Sequence, residues 1–133
     1  MLSQTGRYAL KALVYLARHG GDGYVLVKEI SSSLDIPRQY LSKILHSLTR
    51  VGLLRSQRGR TGGFRLNRPA AEITLFEVID PLDHLSRLSN CLMCDEPCDD
   101  NDPCGLHEMW GEVRGKYLDF LNTTTLEKLS SAS

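Results

Sequence analysis

Acidic residues are scarce in the first half of this 133-residue chain. Residues 1–69 hold 12 Lys or Arg against 3 Asp or Glu, a net of +9. Residues 70–133 reverse the balance with 4 against 13, so a formal charge of zero hides two opposed halves. A basic half of this kind displaces counterions from phosphate and points to a polyanionic partner, which the acidic half should avoid. The plainer reading is that the halves neutralise each other across an interface. Long apolar runs are missing as well: none approaches the ~20 residues of a membrane helix, which argues against a membrane partner. Met1 to Arg18 lacks the continuous apolar core of a secretory signal and is interrupted by Arg7, Lys11 and Arg18, so the expected location is cytoplasmic. There is no phosphate-cradling glycine loop, no paired catalytic carboxylates and no internal repeat, so an enzyme is not expected. Cysteine is absent outside one 14-residue window that holds Cys91, Cys94, Cys98 and Cys104. In a cytosolic protein such clustering favours metal or redox chemistry over structural disulfides.

A hydrophobic share of 41% allows one domain with a modest core. The first helix is predicted from Ser3, a good cap, with Tyr8, Leu10, Leu13, Val14, Leu16 and Ala17 as a broad buried face; Gly20, Gly21 and Gly23 end it. Tyr24 to Val27 fits either a strand stub or the entry to a second helix, predicted over Lys28 to Leu34. Asp35-Ile36-Pro37 reads as a tight turn, with Pro37 suited to the first position of the next helix. Arg38 to Val51 is strongly amphipathic, with Leu41, Ile44, Leu45, Leu48 and Val51 as its stripe. A hairpin follows: Leu53 to Ser56, a turn-rich tip over Gln57 to Gly63, and a return over Phe64 to Leu66. Thr74 caps a further helix bearing Leu75, Val78 and Ile79, which Pro81 should end or kink. A loop from Leu88 to Gly105 leads to a last helix, Leu106 to Leu121, striped by Leu106, Trp110, Val113, Tyr117 and Leu121. The polar tail after Asn122 is expected to fray.

The expected fold is therefore mainly α with a small β-hairpin wing: a winged helix-turn-helix plus a long C-terminal helix. The second helix of such a pair fits the major groove, and its N-terminal residues reach base edges. Here these are Arg38, Gln39, Tyr40, Ser42 and Lys43, with Lys28 one helix earlier. Arg and Gln can make bidentate base contacts, while Tyr and Ser serve phosphates. The hairpin tip carries Arg58, Arg60 and Thr61 among Gly59, Gly62 and Gly63, a scaffold that lets guanidinium groups enter a groove. Glycines that merely form the turn, beside solvated arginines, are the alternative.

The stretches Leu2 to Leu10, Ile36 to Leu41, Val51 to Leu54 and Arg58 to Leu66 resemble the Rrf2 family of bacterial transcription regulators. The likeness covers nearly the whole chain, to about Leu121. It implies a homodimer on double-stranded DNA with a near-palindromic operator, and it makes the last helix the dimerisation element. The apolar stripe bearing Trp110 and Tyr117 agrees, since it exceeds what a small domain needs, although ordinary core packing would also account for it. The implied organisation is a DNA-binding region over 1–69, a connecting helix over 70–90, a Cys/His loop over 91–107, a dimerisation helix over 105–122 and a flexible tail over 123–133.

The cysteines run Cys91-x2-Cys94-x3-Cys98-x5-Cys104-x2-His107. Thiolates are soft ligands suited to iron–sulfur clusters and zinc, and an imidazole three residues after the last cysteine can complete a site. Near a helix N-terminus the dipole would favour thiolate at Cys104. The resemblance implies cluster ligation by Cys91, Cys98, Cys104 and His107, with Cys94 as an alternative ligand. A Cys3His set leans to 2Fe-2S over 4Fe-4S. Other readings stay open. Cys91-x2-Cys94 is also a zinc-knuckle spacing, and the loop acids Asp95, Glu96, Asp99, Asp100 and Asp102 would disfavour an anionic cluster. A metal-free thiol switch, an inert loop, an iron–sulfur electron carrier and a protein-binding adaptor complete the set. His19, His46 and His84 have no ligand context.

Overall fold

The computed structural model describes residues 2–21, 23–60, 62–85, 88 and 105–131. Helix α1 spans Gln4–His19, α2 Val27–Leu34 and α3 Arg38–Arg50. Strands β1 (Leu54–Gln57) and β2 (Gly63–Leu66) form an antiparallel hairpin that pairs Leu54 with Leu66 and Gln57 with Gly63. A single 3-10 turn at Ala70–Glu72 leads to α4 (Leu75–Asp83), and α5 (His107–Thr123) and α6 (Leu126–Ser131) complete the chain.

Helix α1 begins where the Ser3 hydroxyl accepts the Gly6 N–H at 3.0 Å, and it closes through the Gly20 N–H on the Leu16 carbonyl at 2.9 Å. Its buried positions, Gly6, Ala9, Ala12, Leu13 and Leu16, fall on one helical face. Around it pack α2, α3, α4, α6 and the wing. The main core joins this face to Ile30 of α2, to Leu41, Ile44, Leu45 and Leu48 of α3, and to Phe64 of the wing. A smaller cluster of Leu75, Ile79, Leu85 and Leu121 holds α5 against α4.

The expected fold is present: mainly helical, with a two-stranded wing. Tyr24 to Val27 fulfils both readings, because Val25 exchanges two 2.9 Å backbone hydrogen bonds with Phe64 while Val27 opens α2. Several details differ. Pro37 stands at the N-cap of α3, one place before the helix. Val51 leaves the apolar stripe and is 51% exposed, because the chain departs from helical geometry there and turns at Gly52 with φ +87°. Pro81 does not end α4. It lies inside the helix, in the last turn, where its missing N–H removes one bond only, and the helix closes at His84 in the left-handed region.

The stretch expected to fray after Asn122 is instead ordered as α6. Leu126 is fully buried, its N–H bonds the Ile73 carbonyl at 2.8 Å, and Arg18 donates to the carbonyls of Ser130 and Leu129 at 2.8 and 3.3 Å. On α5, Leu121 is buried and Trp110 and Tyr117 are partly so, but Val113 is 54% exposed. Val113 belongs with Leu106, Met109 and Phe120, also exposed, on a second apolar stripe beside the packed one. No helix among the described residues is long and apolar enough to cross a membrane.

Candidate nucleic-acid interface

Helices α2 and α3 are joined by a tightly held turn. Asp35 takes the left-handed conformation at φ 54°, the Ile36 N–H bonds the Ser31 carbonyl at 3.2 Å, and the Ser31 hydroxyl donates to the Ile36 carbonyl at 2.6 Å. Aspartate tolerates this region better than most residues. The turn aims α3 so that its apolar side enters the core while Arg38, Gln39, Tyr40 and Lys43 face outward and Ser42 is half-buried. Lys28 lies in the first turn of α2.

The wing stands next to α3 because the His46 ring packs edge-on against Phe64, with centroids 5.2 Å apart. Its close approach to Val25 depends on Gly63. A Cβ there would lie 2.1 Å from the Val25 carbonyl oxygen, and the residue holds φ +127°. At Gly62 a Cβ would meet the Gln57 carbonyl at 2.1 Å. These two glycines therefore shape the hairpin, and Arg58 and Arg60 project from its exposed tip. Thr61 and all four cysteines, Cys91, Cys94, Cys98 and Cys104, lie outside the described residues. His107 is the first residue of α5 and is partly buried.

Some arginines of the basic half are engaged within the fold. Arg68 pairs with the Glu77 carboxylate and the Glu72 carbonyl, tying the wing's exit to α4. The hydrogen bond to Glu77 holds its pKa above the ordinary guanidinium value. Arg65 lies over the Tyr24 ring at 5.7 Å. Sequence reasoning missed the support under Tyr40. Its hydroxyl is hydrogen-bonded to Thr5, and its ring meets Tyr8 edge-on at 5.5 Å. Nothing in a single sequence pairs residues 35 apart on different helices.

Two helices joined by a tight left-handed turn, followed by a basic wing, define a winged helix-turn-helix. The profile of the Rrf2 family, described as iron-dependent transcriptional regulator, matches residues 2–132, and the chain belongs to that family. It is 34% identical over 128 residues to the HTH-type transcriptional regulator IscR of Pectobacterium carotovorum, covering 96% of this chain and 77% of that one. Among solved structures it resembles CymR, the global cysteine regulator of B. subtilis, with a TM-score of 0.84 and 30% identity across 100% of this chain and 98% of that one. IscR of T. potens is similar at a TM-score of 0.77 and 26% identity, covering 97% and 85% of the two chains. The protein is a DNA-binding transcription regulator and not an enzyme.

On α5, burial pushes the Tyr117 hydroxyl above the ordinary tyrosine value of 10.0, and the nearby Asp83 charge adds to this. That oxygen has no hydrogen-bond partner among the described residues. A raised folded pKa means stability is complete below about pH 10 and declines as pH climbs through the folded value, because the unfolded chain ionises first. Tyr117→Phe should melt no lower than the parent at neutral pH and decline less steeply above about pH 10, as followed by circular dichroism melts across an alkaline series.

Proposed function

We propose that α3 enters the major groove, with Arg38, Gln39 and Lys43 at base edges and phosphates and with Tyr40 and Ser42 on the backbone. The wing arginines Arg58 and Arg60, with Thr61, reach the flanking groove or phosphates, and Lys28 adds a phosphate contact. The observation that carries this reading is the exposed, basic first turn of α3 standing beside a wing fixed to it through His46 and Phe64. The second apolar stripe on α5, formed by Leu106, Met109, Val113 and Phe120, is the surface we assign to homodimerisation. A two-fold dimer then reads a near-palindromic operator.

We also propose that the regulator is switched by an iron–sulfur cluster held by Cys91, Cys98, Cys104 and His107. The donor chemistry fits: three thiolates and an imidazole suit a cluster, and 2Fe-2S suits this set better than 4Fe-4S. The family's description as iron-dependent and the likeness to IscR support the same reading. A bound cluster would supply a redox- or iron-responsive cross-link between the loop and α5. His107 would hold it at the first residue of α5, the helix that packs on α4. The zinc-knuckle spacing of Cys91 and Cys94 favours zinc as the second reading, in which Cys94 is a ligand.

DNA binding is tested by selecting a duplex from a randomised pool and measuring affinity by fluorescence anisotropy at several salt concentrations. Arg58→Ala with Arg60→Ala should weaken selected and scrambled duplexes alike and lower the salt slope by about one for each phosphate no longer neutralised. Gln39→Ala should cost roughly 1–3 kcal/mol on the selected duplex and little on the scrambled one. Affinities equal to the parent's in all of these variants would contradict the assigned interface.

Cluster binding is read from the visible absorbance of protein purified without oxygen, with iron, sulfide and zinc analysis. Broad visible absorbance with stoichiometric iron and sulfide, bleached by Cys98→Ala or Cys104→Ala, is the expected result. Colourless protein carrying zinc and losing it in Cys94→Ala would replace the cluster reading with the zinc one. Colourless, metal-free protein after reconstitution would remove both.

A further inference from the structure

Helix α1 has no acidic residue in its first turn. Such a helix end, with unpaired N–H groups and the positive pole of the dipole, favours a carboxylate. Asp83, the last residue of α4, supplies one from 80 positions away. Its Oδ2 accepts the Ser3 N–H at 3.2 Å and its Oδ1 accepts the Ser3 hydroxyl, while that hydroxyl oxygen accepts the Gly6 N–H. Position 6 must be small for the carboxylate to sit there, since a Cβ would lie 2.9 Å from Asp83 Oδ2. The start of α1 is therefore fixed in position by the end of α4.

The first two turns of α1 carry the groups that hold Tyr40. Thr5 is bonded to the Tyr40 hydroxyl, and Tyr8, one turn from Gln4 and steadied by the Gln4 side-chain amide at 2.7 Å, packs edge-on against the Tyr40 ring. Both ring and hydroxyl of Tyr40 are thus set by α1, and only an outer part, 37% of the residue, faces solvent. Asp83 also lies close enough to Tyr117 of α5 to shift its ionisation, so the carboxylate sits where α1, α4 and α5 meet.

We infer that Thr5 and Tyr8 are positioning residues for DNA recognition, and that Asp83, by fixing the first turn of α1, sets the placement of Tyr40 on the reading face. The inference rests on the assignment of α3 as the DNA-reading helix. A tyrosine held at both ring and hydroxyl meets a phosphate with less ordering to lose than a free one, and its fixed position defines the register of α3 in the groove. The geometry also places the end of α4, the last described α-helix before the cysteine segment, in direct contact with the turn that orients Tyr40.

The test is a double-mutant cycle on a duplex that the parent protein has selected from a randomised pool, with a scrambled duplex as reference. Thr5→Val and Tyr40→Phe should each weaken the selected duplex roughly threefold to tenfold, the range of one hydrogen bond, and the double variant should lose no more than either single one. Thr5→Ser, which keeps the hydroxyl, should restore parental affinity. Asp83→Asn should weaken the selected duplex in the parent but not in the Tyr40→Phe background. Losses that multiply in the double variant would overturn the inference. If Asp83→Asn lowers the melting midpoint, the Thr5 and Tyr40 cycle decides the question alone. A parent chain that selects no duplex would refute the DNA-reading assignment itself. A chain that selects one but shows multiplying losses would refute only the positioning role.

Discussion

Helix α1 is the element on which α2, α3, α4, α6 and the wing pack, and the buried positions in its first half are small. Gly6 leaves room for the Asp83 carboxylate, and Ala9, Ala12, Leu13 and Leu16 are buried along the same face. Burial of apolar surface gathers the helices, and the interdigitation of their side chains limits the crossing angles. Directional contacts are added to that packed base. They are Asp83 on Ser3, Tyr40 on Thr5 and Tyr8, and Arg18 on the last turn of α6. A larger residue at position 6 would force Asp83 away and loosen the first of them.

The wing obeys a similar constraint in backbone form. Val25 reaches Phe64 with paired hydrogen bonds because Gly63 leaves room for its carbonyl, and Phe64 then meets His46 of α3. Gly63 thus lets the hairpin pair with Val25, and Phe64 brings it beside α3. The exposed arginines at the tip inherit their position from that link. The charge division between the halves follows the same arrangement: the +9 half carries α3 and the wing, and the acidic half carries α5.

Much of this was legible in the sequence. Ser3 and Thr74 cap helices as their hydroxyls suggest, at Gly6 and Glu77. The periodicity of Leu41, Ile44, Leu45 and Leu48 marks the buried side of α3, and the glycines of the tip mark the hairpin. What was not legible depends on tertiary contact. Helix α6 has only Leu126 and Leu129 to signal a face, too little for a period, and it is held by Ile73 and Arg18 instead. Val51 continues the spacing of the α3 stripe, yet the chain leaves the helix at that point. Pro81 is tolerated because it falls in the final turn of α4. The support of Tyr40 joins α1 to α3, a pairing that no local pattern announces. The proposed ligand set comes from the family resemblance, and among its members the described residues include only His107.

The central claim is that the first turn of α3, and not α5, lies against DNA. Site-specific photocrosslinking addresses it directly, with a photoreactive side chain placed at Gln39 on α3 or at Glu112 on α5 and a duplex selected by the protein itself. Crosslinks from position 39 and none from position 112 are the predicted result. Crosslinks from position 112 with none from position 39 would contradict the account.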